Sequence, residues 1–245
     1  MKKIIDISYI DTKKDYKHTP ILILHGWQQN KESWIDIIDL IKDEYRVICP
    51  DLPGFGESKN KKFLNFGVDD YARYMEKFLK ELGIKKINIL AHSFGGRIAI
   101  NIASQKEPII NIENLILFSS AGIIEKEKKI NKVIASKSIK KIIPEKIKNK
   151  FRSNDYINAG DLKHVFIKAI NYNVKPLLKN IQCPTLIIWG DHDKELDISK
   201  SYLIQREIKD SEIVVLKGYT HFAHIENPYL FSGTIKKFLK KNEKI

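Results

Sequence analysis

Ile87-Asn88-Ile89-Leu90-Ala91-His92-Ser93-Phe94-Gly95-Gly96-Arg97-Ile98-Ala99 decides how the rest of the chain is read. An apolar run fit for a buried strand ends at Ala91, and a helical pattern with small residues begins at Gly95. One serine stands between them. The pattern predicts a strand–turn–helix with Ser93 at its apex, a nucleophile elbow. Such a turn holds its serine in a sparsely populated backbone conformation, at a cost on the order of 1–3 kcal/mol. It also brings strand and helix so close that only small side chains fit two positions to either side. Here these are Ala91 and Gly95, with Gly96 adding clearance. The usual pattern is G-x-S-x-G, and Ala91 departs from it by one methyl group that the turn is expected to accommodate.

Outward from the elbow, apolar runs alternate with helical patterns. Residues 3–10 alternate apolar and polar as an edge strand would. Ile21–Leu24 reads as a buried strand and ends in His25-Gly26-Trp27. Helical spacing follows over Ser33–Lys42, then a strand over Tyr45–Cys49, then a turn-rich loop over Asp51–Ser58. Val68–Leu82 reads as an amphipathic helix with Tyr71, Met75, Phe78, Leu79 and Leu82 inward. The elbow helix is expected to run from Gly95 to about Lys106, and Leu115–Phe118 is the next strand. The rhythm then breaks over 123–178, an insertion with helical patterns at 134–143 and 161–170. It resumes with a strand at Thr185–Trp189, a helix at about 198–208 and a strand at Glu212–Leu216. A closing helix at 227–241 carries Leu230, Phe231, Ile235, Phe238 and Leu239 inward. This order predicts an α/β fold: a mostly parallel, doubly wound sheet with helices on both faces. The core is expected over 1–122 and 179–245, with 123–178 as a helical lid inserted in the same domain. Ligands of such sheets bind beyond the carboxyl ends of the strands, which is where the loops at His25–Trp27, Ser93, Gly190–Asp193 and Gly218–His224 all converge.

Bulk properties narrow the classes. The 245 residues, 43% of them apolar, suffice for one large core. No apolar run approaches the roughly 18 residues of a membrane span, and the N-terminus lacks the pattern of a signal peptide. Cys49 and Cys183 each stand beside an apolar run and read as buried thiols, so a reducing cytoplasm is the expected location. The net charge of +13 accompanies lysine, isoleucine and asparagine spread through the whole chain, a compositional bias. Glu125–Lys150 exceeds that background, with ten lysines against three glutamates. It reads as a solvated helical surface, with weak contact to anionic surfaces as the functional alternative. No aromatic-interleaved basic pattern points to nucleic acid, and no stable membrane anchor is expected.

A serine hydroxyl is a poor nucleophile until a base takes its proton, the base needs an orienting acid, and the developing oxyanion needs donors. The base candidate is His221 and the acid candidate is Asp193, with Asp191 and Asp197 close by. The order Ser, Asp, His is that of α/β-hydrolases. The blocks H-G-W (25–27), D-L-P-G-F-G-E-S (51–58), A-H-S-F-G-G (91–96), W-G-D-H-D (189–193) and H-F-A-H-I-E-N-P (221–228) resemble those of the α/β-hydrolase family. The likeness is to its broad group of esterases, carbon–carbon hydrolases and cofactor-free haloperoxidases, and it covers nearly the whole chain. It implies that the acid is Asp193 rather than Asp191, three residues after the glycine, and the base His221 rather than His224. It also implies an oxyanion hole built from the backbone N–H groups of Trp27 and Phe94. Thr220 stands where the family often has glycine and Asp197 where it often has proline, which affects loop shape more than chemistry.

The expectation is therefore an enzyme, a carboxylesterase-like serine hydrolase that needs no cofactor or metal and cleaves a small carboxylic ester or similar acyl compound through an acyl-enzyme on Ser93. Carbon–carbon cleavage or thioester hydrolysis with the same triad is the alternative. A small-molecule receptor using the hydrolase pocket is the alternative of another class. Phe222, with Trp27 and Phe94, is a candidate lining of the substrate pocket. His25 is expected to shape its loop, His92 and His224 to pack, and Asp51 to fix its loop through nearby backbone N–H groups.

Overall fold

The computed structural model describes residues 6–13, 17–124 and 154–243. The start of the expected first strand, the helical pattern at 134–143 and the lysine-rich run 125–150 lie outside the described residues.

Seven described strands form one sheet: β1 (Tyr9–Asp11), β2 (Ile21–Leu24), β3 (Val47–Pro50), β4 (Lys86–His92), β5 (Asn111–Phe118), β6 (Thr185–Gly190) and β7 (Ser211–Leu216). Their spatial order is β1-β3-β2-β4-β5-β6-β7. Only β1 runs antiparallel, pairing Tyr9 with Pro50 and Asp11 with Ile48. The other neighbours are parallel. Of the expected first strand, the described part forms β1 from Tyr9 to Asp11, and Thr12 continues the contact with β3 through its N–H to the Val47 carbonyl.

The interior strands read as unbroken apolar runs because both faces are buried. Successive side chains point to opposite faces. Leu22, Leu24, Ile89, Leu115, Leu117, Ile187 and Trp189 pack one way, against α2 (Val68–Glu81) and α3 (Phe94–Ala103). Ile21, Ile23, Leu90, Ile116, Phe118, Leu186 and Ile188 pack the other way, against α1 (Ile35–Ile41) and the closing helix at Pro228–Asn242. Two details differ from the periodic expectation. Leu230 is 44% exposed, because it lies in the first turn of the closing helix, where Asn227 accepts its N–H. The elbow helix ends at Ala103 rather than near Lys106.

The described part of the insertion, 154–178, carries α4 (Asn154–Ile157), α5 (Lys163–Asn171) and α6 (Lys175–Leu178). After β6 come α7 (Ser199–Glu207), then β7, the single turn α8 (Ala223–Glu226) and α9, the closing helix. No helix among the described residues is long and apolar enough to cross a membrane.

Candidate active site

Ser93 follows β4 directly and has φ +46°, a left-handed backbone position unusual for a side chain with a Cβ. The turn is over-determined by its neighbours: Ser93 N–H donates to the Phe118 carbonyl, and the Ser93 carbonyl accepts from Gly96 and Ala121. Close approach explains the small residues. A Cβ on Gly95 would come within 2.3 Å of the Leu24 carbonyl oxygen, and one on Gly96 within 2.0 Å of Ser120 Oγ.

The loops after β6 and β7 bring Asp193 and His221 together. His221 Nδ1 donates to Asp193 Oδ2 at 2.8 Å. That leaves Nε2 of a neutral ring without a proton and able to accept one. The other oxygen of Asp193 takes the backbone N–H groups of Glu195 and Leu196, each at 2.9 Å. Burial alone would raise the Asp193 carboxyl. The hydrogen bond and charge of His221 and the Leu196 N–H outweigh it and hold the carboxyl below the ordinary aspartate value. Asp191 and Asp197 are engaged elsewhere: Asp191 accepts the Gly218 N–H and Asp197 the Ser199 N–H. Glu226 takes both the N–H and the hydroxyl of Thr220 and so clamps the loop that carries His221. His92 Nε2 donates to the His221 carbonyl at 3.0 Å from the other side.

Ser93 and His221 both line a cavity of about 420 Å³, together with Trp27, Phe94, Arg97 and Phe222. No hydrogen bond among the described residues joins the Ser93 hydroxyl to His221; catalytic contacts of this kind commonly tighten only when substrate binds. Phe222 is 41% exposed and forms part of the cavity wall. Trp27 packs edge-on against Phe55 and Phe94 and is tilted against Phe166 of α5, so residues of the insertion meet the elbow across this cavity. Among the described residues no protein acceptor takes the backbone N–H of Trp27 or Phe94. The next residue, Gln28, has φ +57°, which turns the chain sharply after β2.

The loops behind the cavity interlock. His25 Nδ1 donates to the Gly26 carbonyl, and its Nε2 accepts the Leu52 N–H at 2.9 Å. Asp51 accepts the backbone N–H groups of Lys31 and Glu57 and pairs with the Lys31 ammonium. His25 and Asp51 are thereby engaged in holding two loops. His224 stacks on Trp34 at 4.4 Å with neither ring nitrogen bonded.

Burial depresses three imidazoles: His25 to about 4, His224 to about 3, and His92 well below its ordinary value. The folded protein keeps these rings neutral while the unfolded chain protonates them near 6.5. The unfolded state then binds more protons at acid pH, so stability falls as pH drops below 6.5 and stops falling for each ring below its folded value. Each ring contributes about 1.4 kcal/mol per pH unit within that window. The urea midpoint is expected to drop steeply between about pH 6.5 and pH 4, and an unchanged midpoint would mean that the rings take up protons while folded.

Arg97, Asp155, Phe166 and Glu195 also line the cavity, and sequence reading does not single them out. Among the described residues no group of three or more His, Cys, Asp and Glu side chains is placed to hold a metal ion.

Comparison with known proteins gives related results. The family model described as alpha/beta hydrolase fold matches residues 19–134. The chain is 23% identical to 2-hydroxy-6-oxo-6-(2'-aminophenyl)hexa-2,4-dienoic acid hydrolase of Metapseudomonas resinovorans, across 94% of this chain and 87% of that protein. It is 22% identical to mouse monoacylglycerol lipase ABHD6, across 91% of this chain and 76% of that protein. A thermophilic esterase from Thermogutta terrifontis, solved with malate bound, superposes with a TM-score of 0.76 at 20% identity, covering 97% of this chain and 94% of the esterase.

Proposed function

We propose a function for a chain with the α/β-hydrolase fold: it is a serine hydrolase that cleaves a small carboxylic ester or similar acyl compound. The observation that carries the reading is the 2.8 Å His221–Asp193 hydrogen bond, on the rim that also holds the strained Ser93. Ser93 Oγ attacks the carbonyl carbon and its proton passes to His221 Nε2. Asp193 holds the ring in the tautomer that can accept that proton, then stabilises the imidazolium. The N–H groups of Trp27 and Phe94, without an acceptor among the described residues, are the donors for the oxyanion. His221 returns the proton to the leaving alcohol, and the acyl group stays on Ser93. Water activated by the same imidazole releases the acid. Segment 154–178 acts as the described part of a lid, since Phe166 and Ala169 of α5 line the cavity together with Ser93.

Carbon–carbon cleavage beside a carbonyl is the second reading, favoured by the relative that hydrolyses a hexadienoic acid. It uses the same three side chains on a different leaving group.

A fluorophosphonate probe is expected to label Ser93 alone, as read by peptide mass spectrometry, and p-nitrophenyl acetate is expected to be turned over many times per protein. Labelling without turnover would favour a receptor that keeps the pocket; no labelling would overturn the serine reading.

A further inference from the structure

The site holds a cation that the hydrolytic reading leaves unused. Arg97 lies on α3, one helical turn beyond Ser93, and lines the same cavity. Arg97 is half-buried: its Nε is sealed from solvent without a hydrogen-bond partner among the described residues, and no carboxylate among them pairs with it. Burial draws the guanidinium down to about 10 with no counter-charge opposing the shift. Position adds to the cost, because the first turn of a helix is the positive end of its dipole and disfavours cations. A charge taken even partly out of water is costly and is ordinarily paired. The surroundings nevertheless make room for this one. Gly122 has φ +109°, and a Cβ there would come within 2.9 Å of Arg97 Cγ and 3.1 Å of Val174. The arginine stem therefore lies in a cleft that only glycine leaves open.

We propose that Arg97 is the anion-binding group of the acyl pocket and that the substrate carries a carboxylate on its acyl side. The proposal rests on the serine-hydrolase reading for the location of the scissile bond, but not for the anion site itself. A guanidinium offers paired N–H donors that match a carboxylate. Four residues of helix separate the two Cα atoms by a rise of about 6 Å, and both residues line the same cavity, so one small substrate can reach both. That spacing fits the half-ester of a short dicarboxylic acid. Asp155 and Glu195 also line the cavity. The charges of Glu195 and His221 act on Asp155 in opposite senses, and among the described residues no ion pair joins either carboxylate to Arg97. These two acids repel a doubly charged phosphate more than a singly charged carboxylate, which favours the latter at Arg97.

The test compares monomethyl glutarate with methyl pentanoate, which differ by a carboxylate against a methyl. The native protein is expected to prefer the anionic ester in kcat/KM by roughly 10- to 100-fold, the range of hydrogen bonds to a charged group. Arg97→Met is expected to erase that ratio and Arg97→Lys to retain part of it. Calorimetry gives a reading without turnover: glutarate binds the Ser93→Ala protein and fails to bind Ser93→Ala with Arg97→Met. The urea midpoint of Arg97→Met is expected at or above that of the native protein, because a partly desolvated charge with no partner among the described residues has been removed. A preference for the neutral ester, glutarate binding that ignores Arg97, or Arg97-dependent binding of phosphate in place of glutarate would each overturn the proposal. So would a large fall in the midpoint, which would make Arg97 structural. If no ester is turned over while glutarate still binds through Arg97, the hydrolytic reading fails and the anion site stands.

Discussion

Ser93→Ala is expected to lower the kcat for p-nitrophenyl acetate by a factor on the order of 10⁴–10⁶, the loss seen when a serine nucleophile that acts as a unit with its base is removed. Residual hydrolysis would come from the oxyanion donors and from binding alone. Strain makes the experiment more informative when Ser93→Gly is added. At φ +46° a residue with a Cβ is disfavoured and glycine is not. The glycine variant is therefore expected to be as inactive as the alanine variant, but more stable than it by about 1 kcal/mol, within the range such strain stores. Urea midpoints read the stability and burst-corrected initial rates read the activity. Full esterase activity in Ser93→Ala would move the chemistry to another residue. Equal stability of the two variants would mean that the elbow carries no strain.

The convergence of the candidate residues could be read from the chain because each follows an apolar run directly. Ser93 comes after β4, Asp191–Asp193 after β6 and His221 after β7, and parallel strands deliver all three loops to one edge. Buried runs such as Ile21–Leu24 and Thr185–Trp189 are strong signals because both faces of the sheet are covered. What could not be read depends on contacts between distant segments. The choice between Asp191 and Asp193 needed the family likeness, since the two differ only in which N–H groups and ring their carboxylates meet. Glu226 clamping Thr220 is a side-chain bond across a turn with no periodic signature. Arg97 has helical spacing that suits a surface residue equally well, and the close approach of Gly122 to its stem is a contact between distant segments. Asp155 and Phe166 reach the cavity by the path of an insertion whose polar, lysine-rich composition fixes no packing direction. Leu230 shows the converse failure, where good periodicity at a helix end points at solvent.

Asp193→Asn is expected to reduce kcat/KM by about 10³- to 10⁴-fold at neutral pH, near the loss found when the acid of such a triad becomes an amide. The change is small in shape and large in hydrogen-bond logic. One oxygen of Asp193 accepts the N–H groups of Glu195 and Leu196, and an asparagine oxygen can still do so. The amide NH₂ then faces His221 Nδ1, where the carboxylate now accepts. The ring responds by carrying its proton on Nε2, the nitrogen that must take the proton of Ser93. KM is expected to change little, since Asp193 does not line the cavity. Asp191→Asn provides the contrast. Among the described residues its carboxylate holds only the Gly218 N–H, a contact that an amide oxygen reproduces, so a loss of less than about threefold is expected on hydrogen-bond grounds. Acid titration supplies an independent reading. The Asp193 carboxyl is held below 3.8 in the folded protein, so its stabilisation is present above that value and is lost as pH falls through the folded value. Asp193→Asn should remove that dependence, and the difference between native and variant urea midpoints should narrow as pH is lowered below about 4. A large loss in Asp191→Asn with none in Asp193→Asn would assign the orienting acid to the other aspartate and overturn the geometry-based choice.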